Sequence, residues 1–190
     1  GLSLDAGPVL VTAAGSEVGR LAVLMLANAG YQVVAAVDQE HHAEVVRQFG
    51  AMDILPHQEM VDNANRLLDE PRWVGVIDNA GGTILAAALM QLMPGCVAAV
   101  CPPVHGHDLP GSLAPFVVRG CRLVGINALN QSIAERMPVW QSLGALFADS
   151  VIREKVLKNT STITLSEVVE YSARILQGDI TDRVLVTMHN

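Results

Sequence analysis

Short apolar runs alternate along the chain with stretches in which apolar positions recur every three or four residues. Residues 8–12 (PVLVT) form a continuous β-branched run, which reads as a buried strand. From Val18 the apolar residues fall at Val18, Leu21, Ala22, Met25, Leu26 and Ala29, one stripe of a helix, and Gly30 follows as its stop. Residues 32–37 (QVVAAV) predict a second strand, 40–49 a helix stopped by Gly50, and 53–55 a short strand ended by Pro56. A helix over 58–69 turns Val61, Ala64, Leu67 and Leu68 inward, and 73–78 (WVGVID) is the fourth strand. An Ala/Leu/Met helix over 84–93 ends at Pro94-Gly95, followed by a fifth strand at 96–101 (CVAAVC) and a sixth at 121–127 (CRLVGIN).

Strand starts thus recur about every two dozen residues with helices between, which implies a parallel sheet wound on both faces. Right-handed crossovers make this a doubly wound α/β (Rossmann-type) fold of about six strands. The remainder differs. Residues 101–111 (CPPVHGHDLPG) form a Pro/Gly loop long enough to be functional. Residues 133–149 and 166–177 look helical, with Ser166 and Glu170 a loose capping signal, and 183–188 (RVLVTM) is a terminal strand. No linker or low-complexity tract interrupts the chain, so residues 1–190 are read as one domain.

Composition narrows the classes. Of 190 residues 51% are hydrophobic, ample for a large core, which excludes disorder. Aromatics make up only 4%, and the many Ala, Val and Leu suit strands buried on both faces. The net charge of -7, with no Lys/Arg run, argues against nucleic acid and anionic membranes as partners. Cys96, Cys101 and Cys121 form no CxxC pair and read as reduced thiols of a cytoplasmic protein. No apolar stretch reaches membrane-spanning length and no signal peptide opens the chain. Gly1 stands where a Met would, which reads as a chain cut from something longer.

The chemistry-bearing segment follows the first strand. Residues 9–19 (VLVTAAGSEVG) run from strand to turn to helix, the layout in which backbone amides and a helix N-terminus receive a diphosphate. Gly15 and Gly19 are its glycines, and Ser16 is a natural N-cap that puts Glu17 in the first turn. A carboxylate there suits the helix dipole but competes with a phosphate for the same donors. Pointing inward, Glu17 repels a diphosphate; pointing outward, it pairs with Arg20 and does no harm. Asp38 ends the second strand, where an acid accepts from the ribose hydroxyls of adenosine and disfavours a 2′-phosphate. No Lys or Arg follows before Arg47, so NADH is favoured over NADPH; an Asp is also a good helix N-cap in its own right. Residues 77–82 (IDNAGG) end the fourth strand in small residues that let a ribose or nicotinamide approach the backbone.

These residues carry a family likeness. The chain resembles the nucleotide-binding domain of the medium-chain dehydrogenase/reductase superfamily, quinone oxidoreductase branch, and within it the acryloyl-CoA reductase (YhdH/AcuI type) group. The likeness rests on residues 9–23 (VLVTAAGSEVGRLAV), 30–37 (GYQVVAAV), 49–55 (FGAMDIL), 73–82 (WVGVIDNAGG), 108–128 (DLPGSLAPFVVRGCRLVGINA) and 175–186 (ILQGDITDRVLV). The resemblance implies a two-domain, zinc-independent, NADPH-dependent reductase of quinones or activated alkenes, with no resident metal, and Asp38 departs from the small polar or basic residues that the family has after strand two, so the expected cofactor is NAD(P)H. It also implies a preceding GroES-like catalytic domain that this chain lacks, so no catalytic residue is assigned and the chain is expected to be inactive alone. Carried over by position, the cofactor-binding residues are Ala13, Gly15, Ser16, Glu17, Val18 and Gly19 in the turn, and Asp38. Asn79 and Ala80 follow strand four, Cys101 and Pro102 strand five, and Ile126, Asn127 and Ala128 strand six. The family turn resembles GASGGVG, whereas this chain has AAGSEVG, with Ser16 and Glu17 in place of two glycines. An alternative therefore stands: a degenerate, non-catalytic domain kept for dimerisation or nucleotide sensing.

Competing patterns are weaker. Residues 12–19 with Asn79-Ala80-Gly81 are also similar to short-chain dehydrogenases, but Tyr171 and Arg174 have neither the spacing nor the lysine that class uses. Cys101, His105 and His107 share a loop without an evident fourth ligand for zinc. His41 and His42 are adjacent on a helix and diverge, Met25, Met90 and Met93 sit at core spacing, and no G-x-S-x-G elbow occurs. The strand at 121–127 comes last in the sheet and has an apolar, weakly protected edge, which predicts a homodimer across it.

Overall fold

A computed structural model of the chain describes residues 2–62, 67–101, 106–158, 160–177, 179–180 and 182–188. It divides into two compact units, residues 1–127 and 128–190, where the sequence reads as one domain.

The first unit holds β1 (Val9–Val11), α1 (Glu17–Asn28), β2 (Val33–Val37), α2 (His41–Gln48), β3 (Asp53–Pro56), α3 (His57–Val61), β4 (Trp73–Asp78), α4 (Gly82–Met90), β5 (Leu92–Val100), α5 (Ala114–Arg119) and β6 (Arg122–Gly125). The six strands are parallel in the order β3-β2-β1-β4-β5-β6, the doubly wound Rossmann-like arrangement that the alternating pattern implies. Strand register puts Leu10, Val34, Ala36, Val76 and Ala98 on one face, in a core with α4, Met60 of α3 and Phe116 of α5. The alternate positions Val9, Val11, Val33, Ala35 and Val37 are buried too, with Val23 and Leu24 of α1 and Val46 of α2. Beyond β1 that second face opens into an apolar groove of about 530 Å³, lined by Val9, Leu26, Gly75, Ile77, Val97 and Ala99.

Several elements differ from the sequence reading. The helix expected over 58–69 is confined at its start to α3, and residues 63–66 lie outside the described residues. Residues 67–72 are not helical, because their amides serve the end of α4: Asp69 donates to Met90 O at 3.1 Å and Arg72 to Gln91 O at 2.8 Å. The helix expected to run to residue 93 ends at Met90, and β5 begins before Pro94-Gly95. Trp73 pairs with Leu92 and Gly75 with Val97, so the intervening residues bulge, and Gly95 at φ 75° makes that bend. Helix α5 was not expected. Its signals are Pro115 in the first turn and Gly120 after the last, at φ 62°. Arg119 fastens it by donating to the carbonyls of Met90, Leu92 and Asp69. Met25, expected in the core, is exposed.

The second unit holds α6 (Ile133–Phe147), α7 (Ser150–Lys158), β7 (Thr160–Thr164), a 3-10 turn (Leu165–Glu167), α8 (Val168–Gln177) and β8 (Arg183–Thr187). Strands β7 and β8 are parallel and pair only with each other, which sets this unit apart from the main sheet. The cap before α8 is Thr164 with Glu167, a full capping box, rather than the Ser166–Glu170 pair. A second box, Ser132 with Glu135, starts α6.

Candidate functional site

The strand order reverses between β1 and β4, so the crevice outside their carboxyl ends is where an open α/β sheet receives a ligand. Two polar residues end these otherwise apolar strands. Thr12 Oγ1 donates to Asp78 Oδ1 at 2.6 Å and accepts from the amides of Asn79 (3.0 Å) and Ala80 (3.2 Å). Asp78 Oδ2 accepts from Gly81 N at 3.0 Å, and Asn79 Nδ2 donates to Thr12 O at 3.1 Å. Thr12 and Asp78 are fully buried. This network ties the turn after β1 to the turn after β4. Neither Thr12 nor Asp78 was singled out from the sequence, although a polar residue closing each apolar run was the available signal.

The turn itself is tight. Ala13 adopts φ 45°, left-handed space that suits glycine, at the position of the family's first glycine. Ser16 caps α1 as expected: its Oγ accepts from Gly19 N at 3.1 Å and donates to Ala13 O at 2.7 Å. A Cβ on Gly19 would overlap Ala13 O and lie 2.7 Å from Ala14 Cα, so only glycine lets the helix start this close to the strand end. Glu17, half-exposed, pairs at 3.6 Å with the guanidinium of Arg20, which is itself buried. Val18 is exposed.

Asp38 leaves the end of β2 beside the turn. Its Oδ1 lies 3.0 Å from His42 Nδ1, and the His42 ring packs so tightly on Gly15 that a Cβ there would overlap it. Burial pushes the Asp38 carboxyl up, but hydrogen bonds from His42 and its own backbone, with the charges of His42 and His57, outweigh this. They hold it below the usual carboxylate range. His42 is thus a site residue that sequence reasoning missed. His41 is exposed, but its ring meets that of His42, centroids 4.1 Å apart, so the two do not diverge as expected.

At β5, Cys101 N donates to Asp78 O at 2.8 Å, and burial, with the charge of Asp78, pushes its thiol up from the ordinary value. Pro102 and His105 lie outside the described residues. Among the described residues no group of three or more His, Cys, Asp or Glu gathers as metal ligands. A cavity of about 340 Å³ opens at the carboxyl ends of β4, β5 and β6, lined by Gly81, Leu85, Val100, His107, Asp108 and Gly125. Ile126, whose amide donates to Val100 O at 2.8 Å, and Asn127 are exposed beyond β6. Ala128 opens the second unit; within the first, the structure brings together the turn, Asp38, Asn79, Ala80 and Cys101. Tyr171 and Arg174 stack on each other on α8. Among the described residues no helix is long and apolar enough to cross a membrane.

The residues fit a dinucleotide. The crevice has a close glycine approach at Gly19, Gly81 and Gly82 at φ 74° and 55°, and a buried Asn79 Oδ1 with no hydrogen-bond partner.

No protein-family model matches the chain. It is 33% identical over 189 residues, its whole length, to acrylyl-CoA reductase AcuI of Ruegeria pomeroyi, and covers 56% of that protein. The YhdH oxidoreductase of Salmonella enterica in complex with NADP superposes with a TM-score of 0.88 at 30% identity, over 98% of this chain and 56% of that one. The YhfP protein of Bacillus subtilis with NAD bound gives 0.88 at 32%, over 99% and 56%. The chain spans about half the length of the relatives it matches. The likeness read from residues 9–23, 73–82 and 108–128 therefore holds across the chain: by sequence and fold it is a homologue of about half the length of proteins named acrylyl-CoA reductase and quinone oxidoreductase.

Proposed function

We propose that the chain is the cofactor-binding domain of a zinc-independent NAD(P)H-dependent reductase acting on quinones or on enoyl- or acryloyl-CoA thioesters. The observation that carries this reading is the crevice at the reversal of strand order, shared with neighbours that hold NADP and NAD. The cofactor supplies hydride when bound. The residues of this chain bind and orient it. The amides of Ser16, Gly19 and Arg20 are already engaged, the first by Ala13 O and the other two by Ser16, so the diphosphate is assigned to the rest of the turn over residues 15–18. Asp38 takes the adenosine ribose, and the small turn Asn79-Ala80-Gly81 lets the nicotinamide half lie on the backbone. Cys101 after β5, and Ile126 and Asn127 after β6, flank the reacting end. Substrate is held by a separate catalytic domain, so the chain alone turns nothing over. Its three free cysteines suit a reducing cytoplasm.

Asp38 gives NADH its preference over NADPH, because a lowered, ionised carboxylate repels a 2′-phosphate. In Asp38→Ser, titrated by fluorescence with each nucleotide, the NADPH:NADH affinity ratio rises about tenfold, or about 1.4 kcal/mol. An unchanged ratio contradicts this role. Ser16 and Glu17 in the turn favour a second reading, a degenerate domain kept for dimerisation or nucleotide sensing. For a domain kept for dimerisation alone, the two part on Glu17→Gly: that reading requires dinucleotide binding only in the variant.

Dimerisation is proposed through β6. The strand bonds to β5 on one side, its residues are all exposed, and Leu123, Val124 and Ile126 give it an apolar edge. Light scattering on the chain at high concentration is expected to return twice the monomer mass; a monomer contradicts the proposal.

A further inference from the structure

We propose that His42 is a positioning residue that tunes cofactor choice through Asp38, admitting a 2′-phosphate when its imidazole is protonated and excluding it when neutral. This rests on the reading of the crevice as a nicotinamide-dinucleotide site.

The geometry is specific. His42 lies in the first turn of α2, with its side chain 9% exposed, and is wedged between the glycine turn and the end of β2. Nδ1 at 3.0 Å from the Asp38 carboxylate fixes the tautomer, since that nitrogen must carry the proton to donate. Nε2 is buried and has no hydrogen-bond partner. A neutral ring leaves only an acceptor unmet, whereas an imidazolium brings a second N–H and a positive charge beside Asp38. With the neutral ring, a 2′-phosphate at Asp38 meets an uncompensated carboxylate. With the imidazolium, the local pair carries no net charge and the phosphate supplies the attraction that favours the added proton. NADPH, not NADH, therefore takes up a proton as it binds. No side chain of Lys or Arg stands nearer along the chain than Arg47 to do the same work.

Other charged groups surround this pair. His57 at the start of α3 acts on Asp38, His41 and Glu40 lie at the start of α2, and Glu17 and Arg20 pair on α1. The 2′-phosphate also titrates, near pH 6. The test separates these.

Dissociation constants for NADH and NADPH are measured on the chain between about pH 6.5 and 8.5, with calorimetry in buffers of differing ionisation enthalpy to count protons. The Kd(NADPH)/Kd(NADH) ratio is expected to be about tenfold lower at the acid end, the scale on which opposite charges at contact act. NADPH binding takes up a proton and NADH binding does not. His42→Asn keeps a donor near Nδ1 but no charge, and His42→Gln is the second variant should the first not fold. In either, the pH response falls to that of the phosphate alone, while His57→Gln retains it. A response unchanged in the His42 variants, or lost only in His57→Gln, overturns the inference, as does the absence of proton uptake with NADPH in the unaltered chain. NADH binding with a pH-independent ratio sinks this inference alone. Binding of neither nucleotide at any pH overturns the cofactor reading, and this inference with it.

Discussion

Gly19→Ala is expected to lower the unfolding free energy by about 3 kcal/mol and the thermal midpoint by about 6–12 °C, larger than most single substitutions give. The reason is backbone against backbone. The added methyl meets Ala13 O and, at 2.7 Å, Ala14 Cα, and neither can rotate aside as a side-chain tip would. Relief requires α1 to move off the end of β1, which breaks the bonds from Ser16 N and Oγ to Ala13 O and loosens the turn. Nucleotide affinity should fall with stability, because the same turn is the one proposed to hold the diphosphate. Thermal unfolding by circular dichroism checks it. A midpoint within about 2 °C of the parent would mean that the close approach is not needed for the fold.

Thr12→Val is expected to destabilise by about 4 kcal/mol, although valine has nearly the same shape. The hydroxyl is one donor and a double acceptor inside a fully buried site. Removing it takes a partner from Asp78 Oδ1 and from the amides of Asn79 and Ala80, and each group deprived of a partner in the interior costs about 1–3 kcal/mol. Thr12→Ser restores the oxygen and should recover most of the loss. Urea unfolding of the three proteins decides this. Equal midpoints for Val and Ser would show that packing, not the hydroxyl, holds the two turns together.

The centre of the sheet was legible because β1, β2 and β4 are buried on both faces or nearly so, and each appears as a largely unbroken apolar run. WVGVID became β4 residue for residue, and the repeat of strand and helix gave the Rossmann-type sheet. Boundaries were lost where a tertiary bond overrode local pattern. Residues 67–72 spend their amides on the end of α4, and β5 starts early because Leu92 finds Trp73. Strand β7 was missed because TSTIT carries little apolar signal and its pairing with β8 is remote in sequence.

The glycine turn, its Ser16 cap and Asp38 were readable from position alone. His42 was not, since its role depends on a ring packing onto Gly15 from another element, which adjacency in sequence does not encode. Thr12 and Asp78 were readable in principle, as polar residues closing apolar runs. The second unit was read as a continuation of the first, because no linker marks the change at residue 128.

The central claim is that the start of α1 cradles a dinucleotide diphosphate. Calorimetric titration of NADH into the chain and into Glu17→Gly tests it most directly. The account expects saturable one-to-one binding in both, with the variant equal or tighter. Heat only in the variant, or in neither, would contradict it.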